Sequence, residues 1–517
     1  MRNPGAAVLA ALFLILAILP ARSDDVTLTS RDGEVEITGT LLGYDGEFYR
    51  VDTRFGILTV DGSGVNCEGP ACPNLGAYVA EFTLSGAQSM GEVLVPSLVE
   101  GFALYSGYAL GREDLAGIGT LYTLYDSSGA QPAARITIRL TSSDEGFADL
   151  LGEETDMVLS LREVTAVERS LAQDAGLGDL AGARQSRVIA LDALVPVVSG
   201  GNPVRRMSMQ DLRAVFSGQI TRWSELGGED APITIYARDP EYGLGRAFAG
   251  LALADASLAP RAVRLSTDRA IADAVARDPF GIGITGFERR GMSEIVTLSG
   301  SCGFEVVASR GAAKAGDYPL TVPMYLYLPA RRLPKLARDF LGYLRSDSAQ
   351  LVIRRAGFVD QALDEVPIDV QGQRLANAIR AAGDEIGLDE LQRMVALMSQ
   401  TERLTLTFRF RGGSAALDAP SRSNVTLLAS ALEAGRFDGR RISFVGFSDG
   451  KGDAGQNLRL ARRRAEAVRD AVLAETEAFD PQAVTISADA FGEALPMACD
   501  DTAWGRHVNR RVEIWVK

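Results

Sequence analysis

A single histidine, His507, stands among 517 residues, and its scarcity excludes a good deal of chemistry. Ser-His-Asp and Cys-His mechanisms and most catalytic zinc sites need an imidazole at the reacting centre, and everything upstream of residue 507 lacks one. No paired-carboxylate motif stands out in that region either, so a hydrolase is the weakest reading and a non-enzymatic role is expected. Positive charge is also short. Lys and Arg number 53 against 67 Asp and Glu, a formal net charge of −14, so nucleic-acid binding is not expected. Beyond the first 20 residues no apolar run is long enough to cross a bilayer, and no low-complexity linker or internal repeat is evident. No metal ion and no cofactor is expected.

What the N-terminus does have is Arg2, an apolar run over residues 6–19, and Pro20-Ala21-Arg22-Ser23 with small residues where a signal peptidase reads. Residues 1–23 are predicted to be a secretory signal peptide, with no cysteine after the apolar run to accept lipid. Removing Arg2 and Arg22 takes the formal charge from −14 to −16. Export permits disulfides. Of the four cysteines, Cys67 and Cys72 lie five apart in Asn66-Cys67-Glu68-Gly69-Pro70-Ala71-Cys72-Pro73 and suit a small turn-rich loop; whether Cys302 pairs with Cys499 stays open.

The length suggests three or so units. Residues 24–75 alternate polar and apolar positions around the turns Asp32-Gly33 and Asp45-Gly46, which predicts a small antiparallel β module. In 76–365, strand-like runs at 78–84, 135–140, 188–198, 233–237, 282–285 and 321–328 alternate with helix-like segments at 91–102, 209–216, 245–253, 270–276 and 334–344, the signature of an α/β unit. Residues 366–400 read as a helical connector and 401–517 as a last domain. From Thr401 on, 17 basic residues nearly balance 16 acidic ones, so almost all the acidity lies upstream.

The last domain carries the sharpest motif. Residues 442–445 form a short β-branched and aromatic run that reads as a buried strand, and Gly446-Phe447-Ser448-Asp449 follows it, placing Asp449 just past the strand end. Leu458, Ala461, Ala465, Val468 and Val472 then recur at helical spacing, with Asn457, Leu460 and Arg464 on a neighbouring stripe. Asn457 suits an N-cap, and Arg464 lies about two turns further on. A carboxylate and a planar guanidinium facing one cavity would bind an amino-acid head group; the alternative is a plain Asp449–Arg464 salt bridge. With Gly452, Gly492-Glu493, Gly505-Arg506 and Asn509-Arg510-Arg511-Val512-Glu513-Ile514 in the same order, this region resembles the OmpA-type C-terminal domain. The resemblance implies an α+β sandwich that holds the diaminopimelate side chain of peptidoglycan through Asp449 and Arg464, with Asn457 and Leu460 lining the site and Arg511 near it. Phe447-Ser448 replaces the usual His/Tyr-Thr.

The second motif is the run from Ser208-Met209-Gln210-Asp211 through Trp223-Ser224-Glu225-Leu226-Gly227-Gly228. Together with Arg187-Val188-Ile189-Ala190-Leu191-Asp192, Pro279-Phe280-Gly281-Ile282-Gly283 and Gly357-Phe358-Val359, it resembles phosphate-type periplasmic binding proteins. The resemblance implies a type II fold of two α/β lobes closing like a hinge on a small ligand. Helix N-termini can hold an oxyanion without net positive protein charge. The matching turns point to Ser89, Ser142, Ser143, Arg162 and Arg238, with the amides of Gly243 and Gly245. Tyr242-Gly243-Leu244-Gly245 stands where the family commonly has Ser-Gly-Thr-Arg, removing two hydroxyl donors and favouring a bulkier, more apolar pocket.

Taken together, the sequence predicts an exported periplasmic binding protein held at the peptidoglycan or outer-membrane side of the envelope. Phosphate or a related oxyanion is its expected ligand and an ABC transporter permease its implied partner. The alternative is an envelope structural or sensory protein whose lobes recognise a protein or a larger ligand.

Overall fold

The computed structural model describes residues 25–117, 119–129, 131–241, 243–381, 385–411 and 416–517. The signal-peptide prediction at 1–23 and the side chain of Tyr242 lie outside them.

Residues 26–68 form a five-stranded antiparallel sheet with Val26–Ser30 between Glu36–Tyr44 and Val65–Glu68, and a small core of Val26, Leu28, Tyr49 and Val51. Cys67 and Cys72 are bonded, Cα atoms 5.8 Å apart. So small a core contributes little alone, and the module leans on its neighbour. Asp45 and Glu47 receive Arg332 and Arg338, and Tyr44 meets Tyr78 edge-on at 5.3 Å between centroids.

The central domain is built on one mixed sheet. In its first lobe, Ala80–Ala87 runs parallel to both Met157–Ser160 and Pro132–Thr141, and the sheet continues through Gly119–Tyr125 and Ala109–Leu115. In the second, Gly281–Gly286 and Thr234–Ala237 pair in parallel. The strand Ser186–Val198 joins them. Its first part pairs with Thr321–Tyr327 and its last five residues with Gly281–Gly286, so one nearly continuous apolar run passes between lobes, as a strand buried on both faces requires.

Helix Met209–Phe216 starts where its capping box dictates, with Ser208 Oγ accepting from Asp211 N at 3.0 Å. The segments predicted at 91–102 and 245–253 each contain a widened π turn, at Met90–Leu94 and Ala249–Leu253.

The C-terminal sheet is ordered Glu365–Val366, Glu402–Arg409, Arg511–Val516, Arg441–Phe447, Thr485–Gly492. Its strands alternate faces. Ile442 and Phe444 pack with the helices Ala419–Glu433 and Ala454–Glu475, whereas Val445 and Phe447 pack with Ala378, Met394 and Met398 on the opposite side. The 366–400 segment therefore also covers the second face of this sheet, and Glu365–Val366 supplies an edge strand.

The C-terminal and central domains are joined covalently and by charge. Cys302 of the second lobe is bonded to Cys499, Cα atoms 5.7 Å apart. Nearby, buried Asp317 receives Arg403 at 2.7 Å and Arg409 at 2.9 Å.

Candidate functional site

The strand Arg441–Phe447 ends in a loop fixed at both shoulders: Ser448 N donates to Gly492 O at 2.8 Å, and Gly450 N to Asp500 Oδ2 at 2.7 Å. Asp449 lies between them. The helix beyond begins at Ala454, capped by Asp453, whose Oδ1 accepts from Gln456 N at 2.8 Å. The sequence placed the cap at Asn457; that is corrected, because Asp453 takes the position one turn earlier. Asn457 instead lies buried in the first turn, its Nδ2 donating to Glu493 Oε2 at 3.0 Å. Leu460 is half-buried, one turn before Arg464.

Arg464 is 7% exposed, and its Nε and Nη1 have no hydrogen-bond partner among the described residues. The guanidinium lies 4.9 Å from the Phe410 ring centroid. Burial, and then Arg510, push it below its ordinary pKa while Asp449 works the other way. Asp449 does not bridge to it. Its Oδ2 pairs with Arg510 Nη1 at 2.5 Å. The plain Asp449–Arg464 salt bridge is therefore absent, and Arg510, quoted within the motif but not singled out, holds the carboxylate. Each unpaired buried donor costs about 1–3 kcal/mol, which marks Arg464 as a group awaiting an acceptor. Arg511 needs correction as a contact residue. Fully buried against the Phe447 ring, it bonds Glu513 at 2.7 Å and Leu495 O at 2.9 Å, so it supports the site from beneath.

A second site lies in the central domain, where a cavity of about 730 Å³ separates the turns at 87–89 and 141–143 from Arg238, Asp239, Gly243 and 264–267. Ser89, Ser142, Ser143, Arg238 and Gly243 all line it. Their commitments differ. Ser142 Oγ caps helix Ser143–Leu151 through Glu145 N at 3.1 Å, and Ser143 Oγ accepts from Leu161 N at 3.1 Å. Ser89 Oγ is buried with no partner. Arg238 gives Nε to buried Asp268 at 2.9 Å, and Asp268 also receives Arg289 at 2.7 Å. Burial works to raise the Asp268 carboxyl, and Arg289 and Arg238 overcome it, holding the group below its ordinary value.

Arg162 belongs to a neighbouring cavity of about 330 Å³, ion-paired with Glu168 at 2.6 Å and Asp144 at 2.5 Å. Gly245 lines neither cavity. A Cβ there would strike the Asp239 carbonyl, so its glycine serves close backbone packing. Three carboxylates absent from the sequence-derived set, Glu92, Glu145 and Asp239, do line the larger cavity.

Residues 119–348 match the PBP superfamily domain and 409–510 the OmpA family. This chain carries a PBP superfamily domain followed by an OmpA family domain. The PBP portion is 26% identical over 244 residues to the phosphate-binding protein PstS of Bacillus subtilis, covering 47% of this chain and 77% of that protein. The OmpA portion is 39% identical over 100 residues to the outer-membrane lipoprotein YfiB of Pseudomonas aeruginosa, covering 19% of this chain and 56% of that protein. Among solved structures, an ABC-type phosphate transport receptor from Vibrio cholerae aligns with a TM-score of 0.42 at 19% identity, over 54% of this chain and 99% of that one. Both domains fit the bacterial cell envelope.

Proposed function

We propose that the OmpA domain grips the diaminopimelate side chain of peptidoglycan and thereby holds the PBP domain at the wall, where its cleft captures phosphate or a related small oxyanion. The observation that carries the tether is Arg464, a buried guanidinium with two unpaired nitrogens on the same side of the fold as Asp449. A ligand carboxylate on Arg464 and its ammonium on Asp449 complete both groups. Cosedimentation with purified diaminopimelate-type peptidoglycan tests this. The parent chain should pellet, and Arg464→Ala should lose binding by roughly tenfold or more. Undiminished pelleting of that variant would sink the tether mechanism.

For the cleft, the partnerless Ser89 Oγ and the N-terminus of helix Ser143–Leu151 support an anion, as does the relative named for phosphate binding. Arg238 uses only Nε on Asp268, which leaves its Nη groups for a ligand. Titration calorimetry should give heat with inorganic phosphate that disappears in Arg238→Ala. Delivery to an ABC permease belongs to this reading and should fail with that variant in a phosphate-uptake assay.

A second reading has a specific observation behind it. Glu92, Glu145 and Asp239 bring negative charge to a cavity much larger than one tetrahedral anion needs, which favours a larger or cationic ligand or a protein partner. On that reading phosphate gives no heat.

A further inference from the structure

A cavity of about 320 Å³ lies between the two domains, apart from the cleft and from the Arg464 site. Its floor is the start of the strand that joins the lobes, at residues 186–189. Its walls come from the first lobe at 341–350 and from helix Ala419–Glu433 of the OmpA domain. Leu341, Leu344 and Leu427 make its apolar side.

Its charge is unusual. Arg187, Arg345 and Arg436 reach it, against the single carboxylate of Asp347. Arg187 Nε is buried without a hydrogen bond, and among the described residues neither Arg187 nor Arg345 forms an ion pair. Burial, and then Arg345 beside it, push Arg187 down to about 10, still charged at neutral pH. Elsewhere between these domains the buried arginines have a counter-charge, Arg403 and Arg409 sharing Asp317, although their Nε atoms are as partnerless as that of Arg187. Arg187 and exposed Arg345 repel each other with only exposed Asp347 nearby, and Arg187 Nε lacks an acceptor; an anion between the two guanidinium groups relieves both.

We propose that this interdomain cavity binds a small organic anion, a carboxylate or phosphate ester with a short apolar body. The head lies between Arg187 and Arg345 and the body against Leu341, Leu344 and Leu427. The volume is at the lower end for ligand pockets, which suits a small molecule. Such a ligand touches both domains and fixes them against each other. The inference does not depend on what the cleft or the OmpA domain binds.

Titration calorimetry on the full chain tests it with hexyl phosphate, hexanoate and inorganic phosphate. Heat is expected from at least one hexyl probe, weakened roughly tenfold or more in Arg187→Met and unchanged in Arg238→Ala. Should Arg187→Met fail to fold, Arg345→Met takes its place. Without probe, Arg187→Met should melt at or above the parent temperature, since it removes a half-buried charge that has no ion-pair partner among the described residues. The proposal is overturned if neither hexyl probe gives heat, if the heat survives in the Arg187 variant, or if it vanishes in Arg238→Ala.

Discussion

Glu513, fully buried in the last strand, receives Arg374, Arg511 at 2.7 Å and Arg403 at 3.4 Å. Burial alone would raise its carboxyl, but the three guanidinium groups hold it far below the ordinary carboxylate range. In the unfolded chain Glu titrates at about 4.3, so the native state stays ionised while the unfolded state gains a proton. The stability Glu513 contributes is complete above that pH and drains away as pH falls toward its folded value. Glu513→Gln should lower stability at pH 7 by about 3–5 kcal/mol, the usual cost of breaking a buried pair. Its denaturant midpoint should also respond less to acid than the parent's. A midpoint equally sensitive to pH in both would remove Glu513 from the acid response. The Asp449 and Arg464 region shows how far single residues were legible. Asp449 and Arg464 were recognisable because their order and spacing mark a motif. That Arg510 holds Asp449 was not, since it depends on where residue 510 lands after the sheet folds.

Elements whose local chemistry agrees with their packing were the readable ones. Met209–Phe216 announces its start in Ser208 and Asp211, and from Val188 to Val198 the joining strand is apolar except for Asp192, the pattern of a doubly covered strand. Three features escaped. The π turns at Met90–Leu94 and Ala249–Leu253 insert a residue without changing composition, the strands Ala109–Leu115 and Gly119–Tyr125 bury few apolar side chains, and the helix at 454 is capped by Asp453, one turn before the Asn457 that the sequence suggests. Disulfides separate at this scale too. In the chain-entropy account, stabilisation grows with the loop closed, roughly 2 kcal/mol for a handful of residues and about 5 kcal/mol near 200. Replacing Cys302 and Cys499 by Ser should therefore lower Tm far more than replacing Cys67 and Cys72, as read by calorimetry. Equal shifts would contradict this.

At the scale of the whole molecule, composition leaves a single imidazole, at His507, and the alternation of strand and helix points to the α/β class. The spatial relation of the domains was not legible, because its determinants are pairs distant in sequence: Asp317 with Arg403 and Arg409, and Cys302 with Cys499. Those pairs bury charge between units that a domain-by-domain reading treats as separate. The cavity at Arg187 belongs to this level, formed only when helix Ala419–Glu433 closes over the joining strand.

The bond between Cys302 and Cys499 spans 197 positions and has a topological consequence. It turns the stretch between those cysteines into a covalent ring that contains Asp449 and Arg464. A protease cutting once anywhere inside that ring leaves the PBP domain covalently fastened to the chain that carries Asp449 and Arg464, and a single cut releases neither until the bond is also reduced.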